Sequence, residues 1–127
     1  MYAMNGIEYL IDTNILIYII QGKPEVEYFA SEGKLAVSYI TEMETLGKYM
    51  IPTAEKQVIS GFLSRCYIIE MTTQIKQLAI NIKQQTRMKL PDAIIAATAM
   101  ENKLLLVTAD SDFERIADLN LLLMSIN

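Results

Sequence analysis

The run Tyr9–Leu16, Y-L-I-D-T-N-I-L, decides how the rest of the chain is read. Three apolar residues end on Asp12, and a new apolar pattern begins at Ile15. A short apolar run closed by polar residues predicts a buried strand. Asp12, Thr13 and Asn14 then offer three helix-starting side chains ahead of Ile15, Leu16, Tyr18 and Ile19. Asp12 is therefore expected at the carboxyl end of a strand, where open α/β sheets bind their ligands. Taken alone, an Asp at that point is sufficiently explained as a helix cap. The other acidic residues decide whether it does more.

Outward from this run, strand and helix patterns alternate. A strand over Ile7–Ile11 leads into a helix over Asn14–Gln21, which Gly22, Lys23 and Pro24 break. Pro24 suits the start of a second helix, Glu25–Ser31, closed by Gly33. Lys34–Ser38 reads as the second strand. Ser38 can cap a helix over Ile40–Met50, with Ile40, Met43, Gly47 and Met50 as its apolar face. Pro52 stops it, and Thr53 is the expected cap of a helix running through Ser64. Tyr67–Glu70 is a third strand, and Thr72 caps a long helix over Gln74–Arg87 whose buried stripe is Ile75, Leu78, Ala79 and Ile82. Lys76, Lys83 and Arg87 share another face of that helix. Leu90-Pro91 opens an Ala- and Ile-rich helix, Asp92–Glu101, which should be buried all round. Leu104–Val107 is a fully apolar fourth strand of parallel-sheet type. A polar turn, a short helix from about Phe113 and a fifth strand at Leu121–Met124 complete the chain. This alternation implies βαβ units, and hence one domain over residues 1–127: a three-layer α/β/α arrangement around a mostly parallel sheet of about five strands.

Composition narrows the chemistry. The chain is 52% hydrophobic and 20% charged, which is the balance of a globular protein with a real core. No apolar run is long enough to span a bilayer, and Met1–Glu8 shows no secretory signal. The single cysteine, Cys66, excludes an internal disulfide, and a reducing, cytoplasmic setting is expected. Histidine is absent, which removes Ser-His and Cys-His nucleophiles, His-ligated zinc and imidazole acid–base catalysis. The net charge of −4 argues against a broad electrostatic grip on nucleic acid, though not against a local basic patch or a metal-bridged phosphate.

What remains is carboxylate chemistry. Asp12 follows the first strand, and Asp110 follows the fourth, with Asp112 two residues on. Asp92 lies in the first turn of the Ala-rich helix, and Glu44 lies inside the helix after the second strand. Each has a purely structural explanation as a cap or a first-turn acid, and Thr41-x-x-Glu44 reads equally as a capping box. Chance capping does not predict several carboxylates at one end of one sheet. Glu42 and Glu44 lie about 200° apart around a helix, so only one of them can enter a shared cleft, and periodicity barely chooses between them. Clustered carboxylates repel, and some take up protons unless a cation lies between them. Oxygen-only donors select a hard cation, Mg²⁺ or Mn²⁺, which makes metal-assisted phosphodiester hydrolysis the natural expectation.

Four segments then carry a likeness. I-D-T-N-I-L-I at 11–17, S-Y-I-T-E-M-E at 38–44, L-P-D-A-I-I-A-A-T-A at 90–99 and V-T-A-D-S-D-F at 107–113 together resemble the PIN-domain nucleases, and most of all the VapC ribonuclease toxins of type II toxin–antitoxin systems. The segments stand in the family's order and spacing, and the family's domain covers essentially the whole chain. The likeness implies a metal-dependent endoribonuclease whose acidic site is built from Asp12, Glu44, Asp92 and Asp110. It implies a metal held by Asp12, Asp92, Asp110 and Asp112, with Thr13, Asn14 and Thr108 as accessory positions. Thr108 would orient a carboxylate or a metal-bound water, or else is a solvent-facing strand end. The family's T-x-x-E pattern selects Glu44 over Glu42, although Thr45 stands where many relatives carry Leu. Arg87 and Lys89 fill a position that is commonly basic and would meet the RNA backbone. Membership also implies a homodimer and an antitoxin protein that covers the site with a peptide segment.

The rival readings are weaker on residues. A haloacid-dehalogenase-like phosphatase wants a second Asp where Asn14 stands. A phosphoreceiver domain wants a further acidic pair near Asp12 and a Lys after its last strand. Two alternatives keep the same fold: a PIN-like module that binds RNA or protein without cutting, and a PIN nuclease of RNA processing, or one acting on DNA, with no antitoxin.

Overall fold

The computed structural model describes residues 6–32 and 34–127. Strands β1 (Tyr9–Ile11), β2 (Leu35–Ser38), β3 (Tyr67–Ile69), β4 (Leu105–Thr108) and β5 (Leu121–Leu123) form one sheet in the order β3-β2-β1-β4-β5. Every neighbouring pair is parallel. Six helices connect and cover them: α1 (Thr13–Ile20), α2 (Glu27–Glu32), α3 (Tyr39–Leu46), α4 (Thr53–Leu63), α5 (Thr73–Gln85) and α6 (Leu90–Glu101). Short 3-10 turns occupy Pro24–Val26 and Ser111–Arg115.

The alternation of side chains along a strand divides the core in two. Leu10, Ala36 and Leu106 face a cluster with Ile75, Ala79 and Ile82 of α5 and the buried face of α6. Their chain neighbours Ile11, Val37 and Val107 face the opposite cluster, with Ile15 and Leu16 of α1, Phe29 of α2 and Ile59, Phe62 and Leu63 of α4. Both faces of the sheet are thus covered, and the three-layer α/β/α expectation holds. In α6, every residue from Ala93 to Ala99 is buried, as its Ala- and Ile-rich content predicts, and the one hydroxyl among them, Thr98, donates to the Ile94 carbonyl at 2.7 Å. Among the described residues no helix is long and apolar enough to cross a membrane.

The sheet order creates the functional geography. The chain passes from β1 outward through β2 to β3, then returns to place β4 on the other side of β1. The connections that leave β1 and β4 therefore diverge, and the crevice between their carboxyl ends is the topological switch point of the sheet. Asp12 and Asp110 stand at its two lips.

Several expectations are corrected. Strand and helix ends shift by a residue or two, as frayed termini do. The helix after β2 stops at Leu46 rather than Met50, with Gly47 at its cap, where a Cβ would collide with the Met43 carbonyl. Its buried side is not the Met43–Met50 stripe, for those residues are 60% and 80% exposed, while Thr41 and Thr45 are buried. Hydroxyls replace apolar groups there because both are hydrogen-bonded, a pairing that hydrophobic periodicity cannot register. The cap position of α4 is Pro52, without a side-chain bond, and Thr53 is the first helical residue. Helix α5 ends at Gln85, so Arg87 leaves the face it was to share with Lys76 and Lys83. The cause is Thr86: its hydroxyl donates to the Ile82 carbonyl at 2.8 Å and accepts from the Met88 amide at 3.2 Å, turning the chain so that Met88 is buried. The 3-10 turn after β4 begins at Ser111, two residues before Phe113. The helix stop assigned to Gly33 lies outside the described residues.

Candidate active site

Asp12 is 4% exposed and caps α1, as its place after β1 predicts. One carboxylate oxygen accepts the Thr13 amide at 2.8 Å, and the other accepts the Thr108 hydroxyl at 2.6 Å. Thr108 is fully buried, so it is not a solvent-facing strand end, and its hydroxyl proton goes to the Asp12 carboxylate. Its oxygen also accepts the Asp110 amide at 3.1 Å. Asn14 completes the stitching, for its side-chain oxygen accepts the Ala109 amide at 3.3 Å. The β1–α1 junction and the loop after β4 are thus tied together by hydrogen bonds between residues 95 and 96 positions apart.

Glu44 approaches from α3. Its carboxylate accepts the Thr13 hydroxyl at 2.7 Å, so Glu44 rather than Glu42 is the α3 acid linked to the crevice. Ser38 caps α3 through the Ile40 amide, which removes the capping-box explanation for Glu44. Asp110 caps the following 3-10 turn by accepting the Asp112 amide at 2.9 Å. Asp92, in the first turn of α6, is half-buried.

The electrostatics connect these four acids. Burial pushes the Asp92 carboxyl up to about 6, and Asp12, Asp110 and Glu44 push it the same way, against a pull from Lys89. Burial also raises the Asp12 carboxyl, the Thr108 and Thr13 hydrogen bonds draw it back, and Asp110 and Glu44 raise it again. Asp12, Asp110 and Glu44 thus all bear on Asp92, and Asp110 and Glu44 bear on Asp12, which isolated helix caps do not do. Asp112 stands apart: its carboxylate pairs with Arg115 at 3.2 Å, and it is not among the charges felt by Asp12 or Asp92. Arg87 and Lys89 are exposed beside the start of α6.

The donor set suits a hard divalent cation. All the donors are oxygens, and a cation among them would relieve the repulsion that raises Asp92. Among the described residues no three Asp, Glu or Cys side chains are drawn together as a ready metal-ligand group.

Two features escape the sequence reading. A cleft of about 620 Å³ opens beside Thr13 and Glu44, walled by Ile17, Ile20 and Ile59, with the 3.3 Å Lys48–Glu55 ion pair at its edge. The hydroxyl of Thr41, on the buried side of α3, lies 2.9 Å from the Thr13 hydroxyl. In the sequence Thr41 stands out only as the first residue of Thr41-x-x-Glu44, which reads as a capping box or as the family's T-x-x-E pattern, and neither gives its hydroxyl a partner on α1.

Comparison with known proteins identifies the family. A family model described as PIN domain matches residues 9–119. A tRNA(fMet)-specific endonuclease VapC from Shigella flexneri is 30% identical over 125 residues, spanning 89% of this chain and 95% of the relative. Ribonuclease VapC2 from Haemophilus influenzae is 33% identical over 122 residues, spanning 87% and 92%. Among solved structures, a toxin-antitoxin complex from Klebsiella pneumoniae contains a chain that superposes with a TM-score of 0.75 at 34% identity, covering 91% of this chain and 96% of that one. With its four acidic segments gathered at the switch point of a parallel sheet, this chain belongs to the PIN-domain family.

Proposed function

We propose that this protein is a divalent-metal-dependent endoribonuclease that acts as the toxin of a toxin–antitoxin pair. The observation that carries the reading is the gathering of carboxylates from separate elements: Asp12 is tied through Thr108 to the loop of Asp110, Thr13 beside it holds Glu44, and all three bear on the half-buried Asp92. Relatives named as VapC ribonucleases support the activity, and toxin–antitoxin complexes of similar fold support a protein antitoxin as partner.

Asp12, Asp92 and Asp110 would hold Mg²⁺ or Mn²⁺, with Asp112 as an outer carboxylate released from Arg115. Such an ion supplies Lewis acidity to a phosphodiester and lowers the pKa of a water nucleophile. The chain's own residues supply the order. Thr108 holds Asp12 by a short charge-assisted hydrogen bond, Asn14 fixes the loop that carries Asp110, and Thr13, next to Asp12 in the chain, holds Glu44. Lys89 and Arg87 offer positive charge to the RNA backbone at the rim of this acidic crevice. We further place the protein in the cytoplasm, as a homodimer with the antitoxin covering the crevice.

The test is cleavage of a structured RNA panel by the purified chain with Mg²⁺ or Mn²⁺, with chelator, and by Asp12→Asn. Asn can still accept the Thr13 amide, so the variant should fold with unchanged circular dichroism and cut at least a thousandfold more slowly. Full activity in that variant, or cleavage indifferent to chelator, would overturn the reading. Binding of RNA or of a partner without metal-dependent cleavage would assign the chain to a non-cutting PIN module instead. A PIN nuclease of RNA processing would cut but would have no partner encoded beside it.

A further inference from the structure

We propose that Thr41 is a positioning residue for Glu44, acting through the hydroxyl of Thr13. The inference rests on the nuclease reading above and concerns the same crevice. Thr13 Oγ1 donates to Glu44 Oε1 at 2.7 Å and lies 2.9 Å from Thr41 Oγ1. A hydroxyl has one proton and two lone pairs. The Thr13 proton is committed to the carboxylate, so the hydrogen between the two threonines belongs to Thr41. The order is then fixed: Thr41 donates to Thr13, and Thr13 donates to Glu44.

The burial of Thr41 shows what its hydroxyl is for. It is 0% exposed, in a position where valine would fill the same volume with no polar group to satisfy. Its hydroxyl has one hydrogen-bond partner among the described residues, and that partner is Thr13. Thr45, one turn on and also buried, uses its hydroxyl within α3, donating to the Thr41 carbonyl at 2.8 Å. The Thr41 hydroxyl is thus directed out of its own helix to the first residue of α1, and the path returns from there to α3 at Glu44.

Glu44 is otherwise an exposed, flexible side chain with considerable rotamer freedom. The Thr13 bond selects one arrangement, and a hydroxyl that accepts a hydrogen bond donates a stronger one. Without the Thr41 proton, Thr13 can rotate, and Glu44 is held less often on the α1 side of the cleft.

Kinetics and Mn²⁺ titration of the full chain test this with Thr41→Val, Thr41→Ser, Thr13→Val and the double valine variant. Thr41→Val should keep its metal-free melting temperature within a few degrees, lose about tenfold in kcat with KM changed little, and bind Mn²⁺ several-fold more weakly, because a Glu44 charge that is no longer held in place adds less to the field of Asp12, Asp92 and Asp110. Thr41→Ser should recover most of both losses. Adding Thr41→Val to Thr13→Val should cost nothing further, since the relay is already cut. Wild-type kcat and Mn²⁺ affinity in Thr41→Val would overturn the proposal. So would equal losses in the Ser and Val variants with lowered melting temperature, which would mark a packing role. If the unsubstituted chain binds Mn²⁺ but cuts no RNA, the nuclease reading fails while the Mn²⁺ affinities still decide the role of Thr41. If it neither binds Mn²⁺ nor cuts, both fail together.

Discussion

Replacing Asp92 by Asn should alter the pH dependence of stability more than stability itself. Burial first, then repulsion from Asp12, Asp110 and Glu44, lifts the Asp92 carboxyl from 3.8 to about 6 in the folded protein. The folded state therefore holds this proton more tightly than the unfolded chain. The resulting stabilisation is fully present below pH 3.8 and is lost as the pH rises through about 6. A gap of roughly two pH units is worth about 3 kcal/mol at most. Asp92 is only half-buried, and screening by water reduces this to about 1 kcal/mol. Asn has no proton to release, so this loss disappears in the variant. Urea unfolding in chelator, from about pH 4 to about pH 7.5, reads the difference directly. The two proteins should have similar midpoints at the acid end. At the neutral end Asp92→Asn should be the more stable by about 0.5 M urea. Mg²⁺ should then narrow the gap by stabilising the wild type alone, because it answers the same repulsion. Stability curves that stay parallel across the whole range would refute the electrostatic account of the site.

Thr108→Val removes the hydroxyl that donates to Asp12 Oδ2 at 2.6 Å and leaves a buried carboxylate oxygen without that donor. It should destabilise the protein by about 2 kcal/mol near neutral pH and by less in acid, where Asp12 is protonated, as denaturant unfolding at two pH values would show. A loss that does not depend on pH would mean that packing or the Asp110 amide bond, not the Asp12 contact, is what Thr108 provides. Arg87→Glu combined with Lys89→Glu should weaken RNA binding and reduce the slope of log affinity against log salt by about 1.4, two single-strand phosphate contacts' worth. An unchanged slope in a salt series would remove both residues from the RNA path.

How much of this was legible in the sequence follows from the range of the forces involved. The capping role of Asp12, the all-round burial of α6 and the alternation of strands with helices are local properties, written within a few residues by side-chain chemistry and periodicity. They sufficed for a parallel α/β sheet and for acids at strand ends. They did not reveal that β4 pairs with β1, because strand neighbours are chosen by covering both sheet faces at once. That choice brings Thr108 to Asp12 across 96 positions of sequence and opens the crevice between Asp12 and Asp110.

The inward face of α3 shows the same limit more sharply. Hydrophobic spacing favoured Met43 and Met50, yet the fold buries Thr41 and Thr45. A hydroxyl can enter a core only when a partner waits for it, and the partner of Thr41 sits on another helix, 28 residues away. Likewise Arg87 left its expected row because Thr86 and the buried Met88 end α5 early. The sequence by itself determined which chemistry this protein can perform: acidic, without histidine, at the ends of parallel strands. Only the tertiary structure decided which acids share a crevice and which hydroxyls hold them, because those pairings are made between elements that know nothing of one another until they pack.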